Sequence, residues 1–95
     1  MEETYMLKTL EEYRAELDVL DAELVDLLEK RMGISRSIGA AKRAEGIPIY
    51  QPEREQLILK KVTALVKDSG NGEGVRNVYK TIFAESREIQ MQIRE

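Results

Sequence analysis

The chain has 95 residues, neither Cys nor His, and 15 Lys and Arg against 18 Asp and Glu, for a net charge of −3. Lacking Cys and His, it offers no disulfide, thiolate nucleophile, imidazole acid/base group or usual zinc ligand set, so any chemistry falls to carboxylates, amines, guanidiniums, amides and hydroxyls. The acidic balance argues against nucleic acid or an anionic membrane as the main partner, because both reward a net basic face, and any anion site must be local.

Along the chain, Met1-Glu2-Glu3-Thr4-Tyr5 is acidic and opens no unbroken apolar run. It resembles neither a secretory signal nor a membrane span, and a cytoplasmic location is expected. Apolar residues then recur at helical spacing, punctuated strongly only by Gly46-Ile47-Pro48 and Gly70-Asn71-Gly72. The pattern predicts an all-α fold of three helices in one domain spanning 1–95. The first begins near Thr9, where Thr9-Leu10-Glu11-Glu12 has the capping-box form, and runs to about Ala44 before Gly46 and Pro48 stop it. The second starts at Pro52, with Glu53 and Glu55 complementing its dipole, and ends at Gly70. Asn71 is placed to cap the third, which continues to the last residue.

A first helix of this length is roughly 50 Å long at 1.5 Å per residue. A compact chain of 95 residues has a radius of gyration of only about 12 Å. The protruding length is not polar all round, so a second copy is expected to cover it in an intertwined symmetric homodimer. A solvated single helix is the alternative.

Steps of three and four along the first helix trace one seam: Leu7, Leu10, Arg14, Leu17, Asp21, Leu24, Leu28, Arg31, Ser35, Ile38 and Lys42. A parallel stripe of Tyr13, Leu20, Leu27, Ile34 and Ala41 widens it. Arg14, Asp21, Arg31 and Lys42 therefore sit where apolar residues belong. Burying an unpaired charge is costly, so three cations on an inner seam need something negative to meet them, and Asp21 answers one. Each alone could snorkel to water or pair with an acid on another helix; together they point to a small bound anion. Arg31 and Lys42 are about 16 Å apart along the axis, a gap that two long side chains narrow to the span of a small dianion. Arg14 is roughly 25 Å from Arg31, so it either does structural work or enters the pocket of a partner subunit.

On the third helix, Val75, Val78, Tyr79, Ile82, Phe83, Ser86 and Ile89 form an apolar face, with Gln90 one turn after Ser86 at its rim. On the second, Glu55 falls in line with Ile58, Val62 and Leu65. An interhelical or surface hydrogen bond would explain Ser86, Gln90 or Glu55 singly; their weight comes from assembly with the cations.

Several stretches carry a family resemblance: Arg14 followed by Asp21-Ala22-Glu23-Leu24, then Leu27-Leu28-Glu29-Lys30-Arg31, Ile38-Gly39-Ala40-Ala41-Lys42, Pro48-Ile49-Tyr50-Gln51-Pro52-Glu53-Arg54-Glu55, and Glu85-Ser86 with Gln90. In this order and spacing, over nearly the whole chain, they resemble the all-α chorismate mutases of the small, dimeric, three-helix type. The resemblance implies rearrangement of chorismate to prephenate in aromatic amino acid biosynthesis, with no cofactor, metal or covalent intermediate. The substrate carries two carboxylates, an ether oxygen and a ring hydroxyl. Catalysis then means holding a compact conformer and stabilising charge as the ether bond breaks. By the same resemblance, Arg31 and Arg14 from the partner subunit clamp carboxylates through guanidinium forks. Lys42 reaches a carboxylate and the ether oxygen, Gln90 donates to that oxygen, and Glu55 accepts from the ring hydroxyl. Ser86, Gln51 and Arg54 complete the substrate-binding set. Gln51 is a departure, since family members often have Asp there. Gly39 is expected to permit close packing near the pocket, and Gly33 to have a neutral surface role.

An isochorismate pyruvate lyase would share the fold, the cations and the glutamine, but Glu55 favours the mutase by supplying an acceptor for the ring hydroxyl. A non-catalytic helical dimer would explain the seam and leave its cations unexplained. A neutral amide donates at any ordinary pH. With Gln90 as the donor, turnover is therefore expected to stay nearly flat from about pH 6 to 8, and a steep loss across that range in a pH–rate profile would remove Gln90 from this role.

Overall fold

The computed structural model describes residues 8–92, which form three α-helices and one 3-10 turn and contain no strand. Helix α1 spans Leu10–Glu45, α2 spans Pro52–Leu65, the 3-10 turn spans Ser69–Asn71 and α3 spans Gly72–Met91. The all-α expectation with a long first helix holds. Leu7 of the predicted seam and the last three residues of the predicted third helix lie outside the described residues. No described helix is long and apolar enough to cross a membrane.

Local chemistry sets most of the boundaries. At the start of α1, the Glu12 backbone N–H donates to Thr9 Oγ1 at 3.1 Å and the Thr9 N–H donates to Glu12 Oε1 at 2.7 Å. Two donors that the helix leaves orphaned are thus satisfied reciprocally. At its end, Gly46 takes the left-handed conformation with φ 71°. This lets the Ile47 N–H reach the Lys42 carbonyl at 2.9 Å and the Gly46 N–H reach the Arg43 carbonyl at 3.4 Å. Such a Schellman closure needs a residue that tolerates positive φ, and Gly does so without steric cost. Pro52 opens α2, where its missing N–H costs nothing.

The end of α2 departs from the sequence reading. The helix stops at Leu65, short of Gly70, and Val66 is extended at φ −69°, ψ 126°. β-branched Val62, Thr63 and Val66 crowd the last turns, and Thr63 Oγ1 bonds back to the Leu59 carbonyl at 2.6 Å. Beyond them, the Asp68 carboxylate accepts from the Gly70 N–H at 2.9 Å and starts the 3-10 turn. A short polar side chain here gives the backbone an alternative to further helix. Asn71, expected to cap α3, makes no side-chain cap bond and already has helical dihedrals.

The described residues divide within α1, after Arg31, into two compact units. The described part of the N-terminal unit is helix with much of its apolar surface open: Leu10, Leu17, Leu20, Leu24 and Leu27 are 53–62 % exposed. Its ion pairs, Lys8 with Glu16 and Lys30 with Asp26 at 3.2 Å, are solvated and contribute little.

The C-terminal unit holds the core, with Leu59 of α2 and Phe83 of α3 buried and Tyr79 meeting Phe83 edge-on at 6.0 Å. Several apolar positions predicted to face inward are exposed, among them Ile34 and Ile38 of α1, Leu65 beyond the α2 core line through Leu59, and Val78 on α3. The last turns of α1 lie against α3 at Gly39. A Cβ built there would sit 3.0 Å from Gln90 Cα and 3.1 Å from its Cβ and Cγ, tighter than most real Cβ contacts. A Cβ at Gly33 would meet nothing within 4 Å.

These two glycines separate packing from propensity. Gly33→Ala is expected to stabilise by up to about 1 kcal/mol through helix propensity alone. Gly39→Ala has the same gain but also an overpacking cost of about 1–3 kcal/mol, so urea midpoints should move in opposite directions. A raised midpoint for both variants would contradict the close α1–α3 approach.

Candidate functional site

The C-terminal unit gathers four polar side chains around the end of α1. Lys42 lies in the last turn of α1 and is half-buried. Its ammonium donates to the Ile49 carbonyl at 2.6 Å and to Gln90 Oε1 at 3.0 Å. Both acceptors are neutral, so they satisfy two of its three N–H groups without cancelling its charge. Burial lowers the Lys42 pKa, and the nearby Glu55 carboxylate opposes that shift.

Gln90 is 8 % exposed, which corrects its predicted place at the rim. Lys42 can only donate, so the amide oxygen of Gln90 must face it and the amide nitrogen faces the other way. There it donates to Ser35 Oγ at 3.3 Å. Ser35, 3 % exposed, donates in turn to the Ser86 carbonyl at 3.5 Å. The result is a directed chain from ammonium to amide to hydroxyl to backbone, in which each bond polarises the next. Among the described residues, one Lys42 N–H and one Gln90 N–H remain uncommitted. Two such donors on adjacent groups suit one acceptor oxygen that gains negative charge.

Glu55, in the first turn of α2, forms an ion pair with Arg87 of α3. The Arg87 guanidinium carbon also lies 5.0 Å from the centroid of the Tyr50 ring, within cation–π range. Sequence reasoning passed over Arg87 and treated Ser35 only as a seam position. The signal for Arg87 was present, because Phe83, Arg87 and Gln90 follow i, i+4, i+7 along one face of α3.

Of the other predicted site residues, Ser86 is half-buried and Gln51 is half-buried just before Pro52. The Gln51 side chain makes no cap bond, while its carbonyl accepts from the Glu55 N–H at 3.2 Å. Arg54 is exposed. Arg14, exposed, and Arg31, half-buried, belong to the N-terminal unit. A separate open crevice of about 310 Å³, lined by Gln56, Leu59, Lys60, Thr63, Ala64 and Arg76, shares no residue with the Lys42–Gln90 cluster.

Known proteins resemble this chain over most of its length. A family profile described as chorismate mutase type II matches residues 13–91. The crystal structure of chorismate mutase from Helicobacter pylori in complex with prephenate superposes with a TM-score of 0.78 and 43 % identity, covering 87 % of this chain and 90 % of that one. The bifunctional chorismate mutase/prephenate dehydratase of Aquifex aeolicus is 30 % identical over 92 residues, 93 % of this chain. This chain spans only 25 % of that protein's length. The 4-amino-4-deoxychorismate mutase of Streptomyces venezuelae is 32 % identical over 82 residues, 85 % of this chain and 80 % of that protein.

Because burial disfavours its charged form, the Lys42 ammonium loses its proton at a lower pH than a solvated lysine. Affinity for a small dicarboxylate, measured by calorimetry against pH, should therefore fall on the alkaline side below the ordinary lysine range. Lys42→Arg, which keeps its charge throughout, should remove that fall. A decline of the same midpoint in both proteins would assign it to another group.

Proposed function

The chain belongs to the chorismate mutase type II family, and on that premise we propose that it converts chorismate to prephenate by holding the reactive conformer and stabilising charge on the breaking ether. The observation that carries this reading is the Lys42–Gln90 pair, 3.0 Å apart, each with one N–H to spare. The ether oxygen gains negative charge as its bond to carbon lengthens. Two donors already oriented by their other bonds stabilise that charge without reorganising at the moment of reaction. No nucleophile or proton relay is required, which suits a cluster of an ammonium, an amide and a carboxylate.

Glu55 accepts from the ring hydroxyl in this proposal, and Arg31 binds a carboxylate through its fork. Ser86, Gln51 and Arg54 line the remainder of the substrate. The second carboxylate falls to Arg14 of the partner subunit, in a homodimer that covers the exposed leucines of α1. Support for the dimer is physical: five leucines more than half exposed on one helix form an apolar surface that a second copy would remove from water.

Loss of chorismate absorbance by the purified protein, with prephenate as the product, tests the activity. Arg31→Ala and Lys42→Ala should each lower turnover by at least about a hundredfold, the scale of losing one oriented charge-stabilising donor. Losses under about threefold at both sites would overturn the assignment. Release of pyruvate from isochorismate in place of prephenate from chorismate would mark a lyase. Specific activity should also fall on serial dilution as the dimer separates.

A further inference from the structure

Glu55 does not meet its ligand as a lone carboxylate. One of its oxygens, Oε2, is bound by Arg87 Nη1, which leaves Oε1 with its lone pairs. Arg87 is itself fixed from two sides. Its guanidinium lies over the Tyr50 ring at 5.0 Å, and its backbone sits one turn before Gln90 on α3. The Glu55 and Arg87 side chains are 20 % and 33 % exposed, so water screens the pair only in part. A guanidinium stays charged at every relevant pH.

The consequence is a fixed positive charge beside whatever group Glu55 reads. A neutral hydroxyl needs one acceptor lone pair and brings no charge, so it fits the free oxygen. A primary amine in the same place is protonated near neutral pH. It would find the carboxylate already neutralised and a guanidinium close by, and like charges at such range in a half-buried site repel strongly. The relative acting on 4-amino-4-deoxychorismate processes, by its name, a substrate in which an amine replaces the hydroxyl.

We propose that Arg87 is a specificity-determining residue: by binding Glu55 from α3 it sets the site to accept a neutral ring hydroxyl and to reject an ammonium at the same position. It acts through Glu55 as a positioning residue and through its own charge as a filter. The inference rests on the chorismate mutase reading and deepens it by naming what separates two substrates that differ at one group.

The test is the ratio of kcat/KM for chorismate to that for 4-amino-4-deoxychorismate, in the wild type, Arg87→Leu and Arg87→Lys. The wild type should favour the hydroxyl substrate. Arg87→Leu should shrink that preference at least about tenfold, while Arg87→Lys, which keeps the charge, holds it within about threefold. A purely structural role would weaken both substrates alike and leave the ratio unmoved, and that outcome overturns the proposal. Should Arg87→Leu fail to fold, Glu55→Gln supplies the second arm. With the guanidinium no longer neutralised, its preference for chorismate should rise above the wild-type value, and a fall would overturn the proposal. A wild type that turns over chorismate yet shows no preference sinks the filter alone, whereas a wild type inert toward chorismate sinks the mutase reading with it.

Discussion

An ammonium held half out of water by two neutral acceptors is the interaction on which the rest of the site depends. Desolvating a charge is unfavourable, and a carboxylate within bonding distance would be the usual remedy. Lys42 instead uses the Ile49 carbonyl and the Gln90 amide oxygen. These acceptors take up two of its three N–H groups without neutralising its charge, so the end of α1 keeps a local positive potential in a chain whose net charge is −3. The backbone makes this possible. Closure of α1 over the Lys42 carbonyl, through the Ile47 N–H, turns the chain so that Ile49 comes back within reach of the same residue's side chain. On the other side, the missing Cβ at Gly39 lets α3 approach until Gln90 is in bonding distance.

Glu55 is handled in the opposite way. Its charge is matched by Arg87 across the α2–α3 contact, so it serves as an oriented acceptor more than as a source of negative potential. Had it stood alone, its attraction for Lys42, which already opposes the burial-driven shift of that lysine, would have offset more of the positive potential there. The pair of arrangements divides the labour: one cation kept available, one carboxylate kept neutralised but directional. Such a division explains how a site with no imidazole and no thiol can serve a reaction of the kind proposed, whose difficulty lies in conformation and charge separation.

The packing that supports the site is small. Leu59 and Phe83 are the buried apolar side chains among the described residues, and the polar chain of Lys42, Gln90, Ser35 and Ser86 runs alongside them. With so little apolar burial, the hydrogen-bonded chain helps specify how α1 meets α3, because a half-satisfied network in this position would be costly. The open leucines of α1 belong to the same economy of a short chain, which has too little length to cover its own apolar surface.

Helix starts and stops were legible in the sequence wherever they depend on neighbours a few residues away. The Thr9 capping box, the Gly46 closure and Pro52 all act through local geometry, so three helices and a long first one could be read directly. The end of α2 was misplaced because Gly70-Asn71-Gly72 is the stronger stop signal in the sequence, while the break at Val66 and the local bond between Asp68 and Gly70 carry no comparable mark. Lys42 stood out as a charge on an apolar seam and Gln90 as an amide at the edge of the apolar face of the third helix. That Gln90 is buried, that Ser35 orients it and that Arg87 claims Glu55 were decided only in three dimensions. Each depends on which faces of α1, α2 and α3 meet and how closely, and that spacing is set by a missing Cβ and the fit of side chains far apart in the chain.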